Sequence, residues 1–287
     1  MKSSAPKLAL LCTPCVLAAA LASCERARVG SDPAGQTVHI RIQNGRAECN
    51  VTDGKVFCRG DGSRGLLGTG TSIEHSADFR HVEPLRDVTA LAVSEGAVFA
   101  CAVTKGDVWC WGDNVSGTLG RSDATAYDGS PRSISKPQPV ALPPSRRVAI
   151  GVTHACSLST TGTVHCWGMN AVGEVLDPRV EPRIGVAPPV EVPVPSGVTD
   201  LFLTTLQSCV LTDRREVHCW GGSVGGPDGS KPAFAPTLVA RDALELPRDL
   251  GGDGRSCVKT KSGDVCWDYA VDEVIGLYQE PHIVRQK

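Results

Sequence analysis

Long apolar runs, excess basic charge and catalytic motifs are all scarce in this sequence of 287 residues. Beyond residue 24 no long apolar segment appears, so attachment to a membrane would have to depend on a lipid. Without residues 1–23, which carry two lysines and no acid, 27 basic residues stand against 31 acidic residues. That balance gives no electrostatic footprint for nucleic acid, and we expect no nucleic-acid partner.

Motifs of common catalytic sites are missing too. The sequence has no glycine-rich phosphate loop, no nucleophile elbow and no metalloprotease helix. Its seven histidines do not cluster along the chain. We therefore expect a protein that is not an enzyme and binds no cofactor. The alternative is a carbohydrate-active hydrolase or lyase, which would need a pair of carboxylates about 5–10 Å apart.

The beginning of the chain predicts export and lipidation. Two lysines precede an apolar run from Leu8 to Leu21, which is the build of a secretory signal peptide. The residues Leu-Ala-Ser-Cys that end at Cys24 resemble the lipobox of bacterial lipoproteins, in which cleavage precedes an acylated cysteine. A plain secreted protein is the alternative.

These features divide the chain into three parts: a signal peptide (1–23), a lipidated Cys24 with a flexible tether (24–36), and a globular domain (37–287). The tether is polar and contains Gly and Pro, which favours flexibility. We expect a lipid-anchored protein of the bacterial cell envelope, at the outer membrane or cell surface rather than the inner membrane. Either membrane leaflet is compatible with these features.

After the tether, the sequence repeats five times. Each repeat contains a cysteine pair around a turn flanked by alternating residues, which predicts a β-hairpin. The second cysteines of successive repeats are 52, 56, 53 and 47 residues apart, and such a period indicates a propeller or another repeat array. The pairs are Cys49 with Cys58, Cys101 with Cys110, Cys156 with Cys166, Cys209 with Cys219, and Cys257 with Cys266.

The hairpin register places the two cysteines of each repeat opposite each other. If Lys105-Gly106 forms a two-residue turn, Cys101 faces Cys110 in a non-hydrogen-bonded pair, with Cα atoms roughly 4.5 Å apart. That separation fits a disulfide. In the third and fourth repeats the spacing and the turn both grow by one residue. We predict one disulfide per hairpin, although the fifth turn, 261–263, does not centre on the two-residue pattern.

A metal site is the alternative role for the cysteines. His165 and His218 each precede a cysteine, but neighbouring residues on a strand point to opposite faces. Beyond residue 24 the chain has no closely spaced cysteine pair of the kind that zinc sites use. Disulfides, which form in oxidising compartments, are favoured, and we expect no bound metal.

The residues around the cysteines resemble the repeats of the regulator of chromosome condensation family. The signatures are Trp111-Gly112-Asp113-Asn114 with Gly117, Leu119 and Gly120, then Trp167-Gly168 with Asn170, and Trp220-Gly221. The first repeat has Arg59 in place of Trp, and in the fifth Asp268 follows Trp267. The resemblance covers most of residues 37–287. It implies an all-β fold, a β-propeller built from about five repeats.

Propellers of this family commonly have seven blades, whereas this sequence has five hairpins. The segment EPHIVRQK (280–287) has the Pro-x-x-Val that begins a blade, and QTVHIRI (36–42) is an inner strand without such a beginning. We expect the N- and C-terminal strands to pair and close the ring, with Ile283 and Val284 in the same sheet as Val38 and Ile40. An incomplete ring that pairs with another chain is the alternative.

Physical chemistry gives the Trp-Gly pairs a structural role. Each Trp is predicted to fill the wedge between adjoining sheets, and the following Gly to permit close backbone approach. An aromatic binding cage is the alternative. His154 lies at a repeat position and is predicted to be a buried, hydrogen-bonding histidine rather than a catalytic base.

Loops on the propeller faces set the functions of the family, which implies a protein-binding or scaffold module with an unknown envelope or extracellular protein as partner. Three long segments after the Trp-Gly strands are expected to leave from one face: 120–139, 173–189 and 221–236. Candidate contacts are the aromatic anchors Tyr127 and Phe234 and the polar residues Arg121, Arg132, Arg179 and Arg183. Solvated spacers are the alternative.

Overall fold

The structure is a computed structural model that describes residues 40–43, 47–71, 73–94, 98–121, 133–177, 179, 185–222, 233–245, 248–249 and 255–268. These residues form β-strands joined by turns and loops, as the all-β prediction requires. Among them, no helix has the length and the apolar character that crossing a membrane demands. The signal peptide, Cys24 and the tether lie outside the described residues.

The strands group into five antiparallel sheets that follow one another in chain order. The first contains β1 (Ile40–Gln43), β2 (Ala47–Thr52), β3 (Lys55–Asp61) and β4 (His75–His81). The second contains β5 (Val88–Val93), β6 (Phe99–Thr104), β7 (Asp107–Asp113) and β8 (Ser133–Pro139). The third contains β9 (Ser145–Ile150), β10 (His154–Ser159), β11 (Val164–Met169) and β12 (Val186–Val192). The fourth contains β13 (Val198–Leu203), β14 (Gln207–Thr212), β15 (Val217–Gly221) and β16 (Ala233–Ala240). The described part of the fifth contains β17 (Arg248–Asp249), β18 (Arg255–Thr260) and β19 (Gly263–Asp268).

Among the described residues, the predicted hairpin forms the second and third strands of every sheet. Cys101 lies opposite Cys110 and Cys156 lies opposite Cys166, which confirms the register derived from the turns. All five cysteine pairs are joined, with Cα atoms 4.1 Å apart in each. The fifth turn differs from the expected 261–263, because Thr260 pairs with Gly263 and leaves only two residues in the turn.

In the second, third and fourth sheets the first strand is the innermost and the fourth is the outermost. β5, β9 and β13 contact one another in succession, which places them around the common axis of the sheets. The outer strands β8, β12 and β16 each contain proline. Proline removes a backbone donor from an exposed edge, so these strands resist pairing with another chain.

The ends of the array are only partly described. Ile40 lies in β1, which pairs with β2 as expected of an inner strand. Val38, Ile283 and Val284 lie outside the described residues, so closure by the two chain ends stays a prediction. The Pro-x-x-Val pattern was expected to begin a blade, but Pro137 and Pro189 lie in the outer strands that complete the preceding sheets.

The apolar core lies between consecutive sheets. One cluster joins Phe99 and Leu119 of the second repeat with Ala155 and Trp167 of the third. Another joins residues of the third sheet with Trp220 of the fourth. Each sheet therefore buries its apolar faces against its neighbours in the chain, which is how repeat arrays gain stability.

Candidate functional site

The tryptophans of the Trp-Gly pairs lock each sheet to the loop of the preceding repeat. Their side chains are fully buried, and each indole N–H donates to a main-chain carbonyl of that loop. The bonds run from Trp111 to Leu66 (2.7 Å), from Trp167 to Thr118 (2.8 Å) and from Trp220 to Glu174 (2.8 Å). This confirms the prediction that the tryptophans fill the wedges between sheets.

The glycine after each Trp turns the chain out of the sheet. Gly112 and Gly168 have φ angles of 106° and 104°, a region that side chains other than glycine rarely occupy. A Cβ atom on Gly112 would lie 2.5 Å from the carbonyl oxygen of Val98. The pairing register also shifts at this glycine, so the Trp-Gly pair forms a bulge that directs the following loop away from the sheet.

The loops after these bulges are anchored at their bases. The side-chain oxygen of Asn114 accepts from the Leu119 N–H at 3.2 Å, and that of Asn170 accepts from the Val175 N–H at 3.0 Å. Leu119 and Val175 are completely buried. The same hydrogen bond therefore holds the backbone of residues 114–120 and of residues 170–176. Their outward side chains are attached to a backbone that is anchored in the core.

At the junction of the third and fourth sheets, hydrogen bonds between buried side chains join the two repeats. The Nε2 atom of His154 lies 3.0 Å from the Ser208 hydroxyl, and that hydroxyl donates to the Glu174 carbonyl at 3.1 Å. Because His154 is fully buried, loss of solvation lowers its pKa to about 4. The ring is therefore neutral at ordinary pH, which confirms a buried, hydrogen-bonding histidine.

Glu174 is a buried carboxyl at the same junction. Its Oε2 atom accepts from the Val172 N–H at 2.8 Å, while Oε1 is buried without a hydrogen-bond partner among the described residues. Burial raises the pKa of this carboxyl to about 7. Folding therefore favours the protonated carboxyl, which can be buried at lower free-energy cost than the ion.

The histidine, serine and glutamate do not form a catalytic site, although a serine beside a histidine resembles a nucleophile and its base. His154, Ser208 and Glu174 all have 0% exposure, so a substrate has no access to them. Sequence reasoning had singled out His154 but had missed Ser208 and Glu174. Alignment of the loops would have drawn attention to Glu174, because Leu66 and Thr118 occupy its position in the preceding repeats.

The predicted contact residues lie on successive repeats. Arg121 and Arg179 follow the Trp-Gly strands of the second and third repeats, and Arg179 is exposed and bound to Asp177 at 2.9 and 2.8 Å. This bonding lowers the pKa of the Asp177 carboxyl. Phe234 is 56% exposed, but it lies in the outer strand β16 rather than in a loop. Tyr127, Arg132 and Arg183 lie outside the described residues.

These loops share one end of the molecule. Each hairpin turn lies at one end of its sheet, and the Trp-Gly bulge lies at the other end of the same strand. At the bulge end, Arg64 of the first repeat binds Asp113 of the second at 2.7 Å. Val115, two residues after Asp113, has 45% of its surface exposed. We call this end, with its loops 61–71 and 113–121, residues 169–177 and 179, and the beginning of β16, the loop face.

The histidines that precede cysteines contact acids rather than a shared centre. His165 lies 3.9 Å from Glu191, and His218 lies 3.5 Å from Glu216. Within the part of the chain that the structure describes, no group of three or more His, Cys, Asp or Glu side chains could hold a metal ion.

Known proteins share these repeats. Family models described as the regulator of chromosome condensation (RCC1) repeat match residues 105–158 and 146–174. The human probable E3 ubiquitin-protein ligase HERC6 is 31% identical over 205 residues, which are 69% of this chain and 20% of that protein. The mouse regulator of chromosome condensation is 30% identical over 202 residues, which are 68% of this chain and 45% of that protein.

The fold is also found in a solved structure. Prp20p from Saccharomyces cerevisiae superimposes with a TM-score of 0.62 at 17% identity, over 86% of this chain and 64% of that chain. The chain thus spans less than half the length of the two curated relatives named above. The Trp-Gly junctions, the repeat matches and the sheet architecture together assign the chain to the RCC1-like repeat family, with the β-propeller fold of that family.

Proposed function

We propose that this protein is a lipid-anchored component of the bacterial envelope whose propeller binds a partner protein through the loop face. One observation carries the proposal: neighbouring repeats fix their loops in the same way, yet those loops expose different side chains. The exposed groups include Arg64, Val115 and Arg179, with side-chain exposures of 58% and 67% for the two arginines. Variable side chains on a rigid scaffold are typical of recognition surfaces.

The chemistry of the loop face fits a protein surface. Phe234 offers an exposed aromatic ring, and Arg179 offers an exposed planar cation. Aromatic and arginine side chains dominate binding energy in protein interfaces. A relative supports the same use of the fold, since Prp20p has binding properties to Gsp1p and histones. The partner of this chain is proposed to be a different protein, located in the envelope or outside the cell.

Capture of a partner from envelope extract tests the binding role. The bait is residues 25–287, and the variant combines Phe234→Ala with Arg179→Ala. Because each anchor is expected to contribute at least about 1.4 kcal/mol, the double variant should bind about a hundredfold more weakly.

Leu244→Ala is the matched control for this capture. Leu244 is 48% exposed, and its N–H bonds to Lys259 near the hairpin turn of the fifth sheet, at the end opposite the loop face. The control should capture the partner as the parent does. Equal capture by the double variant and the parent would show that the loop face is not the binding surface.

Cys24 carries the proposal of a lipid anchor. Acylation should make the full-length protein partition into detergent, whereas Cys24→Ala should stay unprocessed at its signal peptide. Phase partitioning and mass spectrometry of the mature N-terminus measure both effects. If the two forms are processed and partition alike, the protein is not a lipoprotein, while the role of the loop face would remain to be judged by the capture experiment.

A further inference from the structure

The apolar clusters between consecutive sheets enclose the disulfides of the first four sheets. Each cluster contains the two cysteines of one sheet together with apolar residues of the next sheet. In the last of these clusters, Cys209 and Cys219 pack with Val258 and Val265 of the fifth sheet. All eight cysteines are 0% exposed. A thiol dissolved in water therefore cannot reach these four disulfides while the sheets are packed together.

The disulfide of the fifth sheet lies on the face that points away from the fourth sheet. Because side chains alternate along a strand, Val258 and Val265 face the fourth sheet, while Cys257 and Cys266 face the other way. Neither cysteine belongs to an apolar cluster of the described residues. Cys257 is 9% exposed, and Cys266 is half-buried. The fifth disulfide is therefore the most exposed of the five.

Charged residues lie beside the fifth disulfide, where the other sheets have apolar residues. The position is the residue pair two places nearer the hairpin turn than the cysteines, on the same face of the sheet. In the first four sheets this pair is Val51 with Val56, Val103 with Val108, Leu158 with Val164, and Leu211 with Val217. In the fifth sheet Lys259 lies opposite Asp264, and both residues are exposed. Burial of two charges costs free energy, so this face favours contact with water rather than with another sheet.

We propose that the Cys257–Cys266 disulfide is a site of thiol–disulfide exchange with an external dithiol, whereas the other four disulfides are structural. Exchange requires a thiolate to reach a disulfide sulfur. Four of the five disulfides are enclosed between sheets, and the fifth lies on an exposed, charged face. The proposal rests on this difference in exposure and does not depend on the proposed binding role.

The exchange takes place in two steps. A thiolate of the dithiol attacks the Sγ atom of Cys266, which is the more exposed of the two cysteines. The S–S bond breaks, and Cys257 leaves as a thiolate and takes up a proton. The second thiolate of the dithiol then attacks the reagent sulfur of the mixed disulfide, and Cys266 leaves as a thiolate and is protonated. The dithiol loses two electrons and two protons, and the protein gains two thiols.

Reduction should leave the fifth sheet folded. β18 pairs with β19 along its whole length, from Arg255 with Asp268 to Thr260 with Gly263. Val258, on the face that contacts the fourth sheet, is 0% exposed. These contacts remain when the S–S bond is broken, so the two thiols stay close enough to form the disulfide again with the oxidised form of the dithiol. The disulfide can therefore change its redox state without unfolding of the protein.

Timed reduction of the folded, full-length protein with dithiothreitol tests the proposal. Samples are alkylated at intervals, and peptide mapping by mass spectrometry gives the reduced fraction of each disulfide. Cys257–Cys266 should be reduced at least about tenfold faster than the other four. Cys49–Cys58 and Cys101–Cys110 are matched controls, because all three bridges have a sequence separation of 9. In concentrated urea, which removes the packing between sheets, these three should be reduced at similar rates.

Two double variants identify the fast disulfide independently of the mapping. Replacing Cys257 and Cys266 by serine should abolish the fast phase of thiol release and leave the slow phase. Replacing Cys49 and Cys58 by serine should leave the fast phase in place. Circular dichroism before and after the fast phase should show the same sheet content, because reduction of the fifth disulfide does not unfold the protein.

Reduced thioredoxin, a protein dithiol, replaces dithiothreitol in a second series. Fast reduction of Cys257–Cys266 by both reagents would support exchange with a protein dithiol, and fast reduction by dithiothreitol alone would support exchange with a small-molecule dithiol. Three results would overturn the proposal: equally slow reduction of all five disulfides, first reduction of another disulfide, or loss of all five together with loss of sheet content.

Discussion

The junction between the second and third sheets differs from the junction between the third and fourth in the polarity of its buried side chains. Phe99 and His154 occupy the same position, at the beginning of the second strand of their sheets. Phe99 packs with Ala155 and Trp167 in an apolar cluster, whereas His154 bonds to Ser208. The Trp-to-carbonyl bond is the same in both. The repeat therefore fixes the geometry, while His154, Ser208 and Glu174 make the second of these junctions polar.

This difference concentrates pH sensitivity in one junction. At the polar junction, burial lowers the pKa of His154 to about 4 and raises that of Glu174 to about 7. The cluster that contains Phe99 is composed of apolar side chains and cysteines. The two junctions should therefore respond alike to loss of packing and differently to pH.

Loss of a junction tryptophan should have the largest effect. We expect Trp167→Ala to lower the free energy of unfolding by about 3–5 kcal/mol, because it removes a buried indole and leaves a cavity. It also leaves the Thr118 carbonyl without the indole donor. Trp220→Ala should cost about 1 kcal/mol less, since Ser208 still donates to the Glu174 carbonyl. Urea unfolding measures both, and a loss below 1 kcal/mol for Trp167→Ala would contradict the wedge role.

Replacing the polar pair His154 and Ser208 by the apolar residues of the other junction should make the pH dependence of stability that Glu174 causes visible. The double variant His154→Phe with Ser208→Ala copies Phe99 and Ala155. The folded pKa of Glu174, about 7, lies above its ordinary 4.5, so its stabilisation is complete below pH 4.5 and is lost as pH rises to 7. We expect stability to fall by about 3 kcal/mol across this range.

In the Glu174→Gln variant, the free energy of unfolding should change with pH in the opposite direction. The folded pKa of His154, about 4, lies below its ordinary 6.5, so its contribution is complete above pH 6.5 and is lost as pH falls to 4. The loss should again be about 3 kcal/mol. In the parent the two slopes oppose each other between pH 4.5 and 6.5. Urea unfolding at a series of pH values measures the free energy of unfolding of the parent and of both variants. Identical pH profiles for all three would show that His154 and Glu174 do not titrate as described.

Removal of a disulfide should have a smaller effect that does not distinguish the junctions. The Cys101–Cys110 bridge and the Cys156–Cys166 bridge close loops of similar length within their own sheets. Replacing either pair by alanine should cost about 2 kcal/mol, because the unfolded chain regains its loop entropy. Calorimetry or urea unfolding under non-reducing conditions gives the values. A difference of more than 2 kcal/mol between the two would show that a bridge also supports a junction.

The local sequence pattern was sufficient to predict the hairpins, but it was not sufficient to predict how the outer strands pack. The register of Cys101 with Cys110 could be predicted because the turn fixes which residues face each other. The position of Phe234 could not, since β16 extends into a segment that looks like a loop. Its pairing with β15 depends on a partner strand already in place, and sequence alternation in one strand does not reveal this.

The sequence alone determined the repeat, the hairpin registers, the five cysteine pairs and the buried tryptophans, because turn geometry and side-chain period act over a few residues. Tertiary structure decided which carbonyl each Trp bonds and that Glu174 is a buried acid. It also decided that the Pro-x-x-Val segments complete the preceding sheets rather than begin new ones. These outcomes arise from contacts between residues about 50 positions apart, such as Trp220 with Glu174, and only the packing of whole sheets brings those residues together.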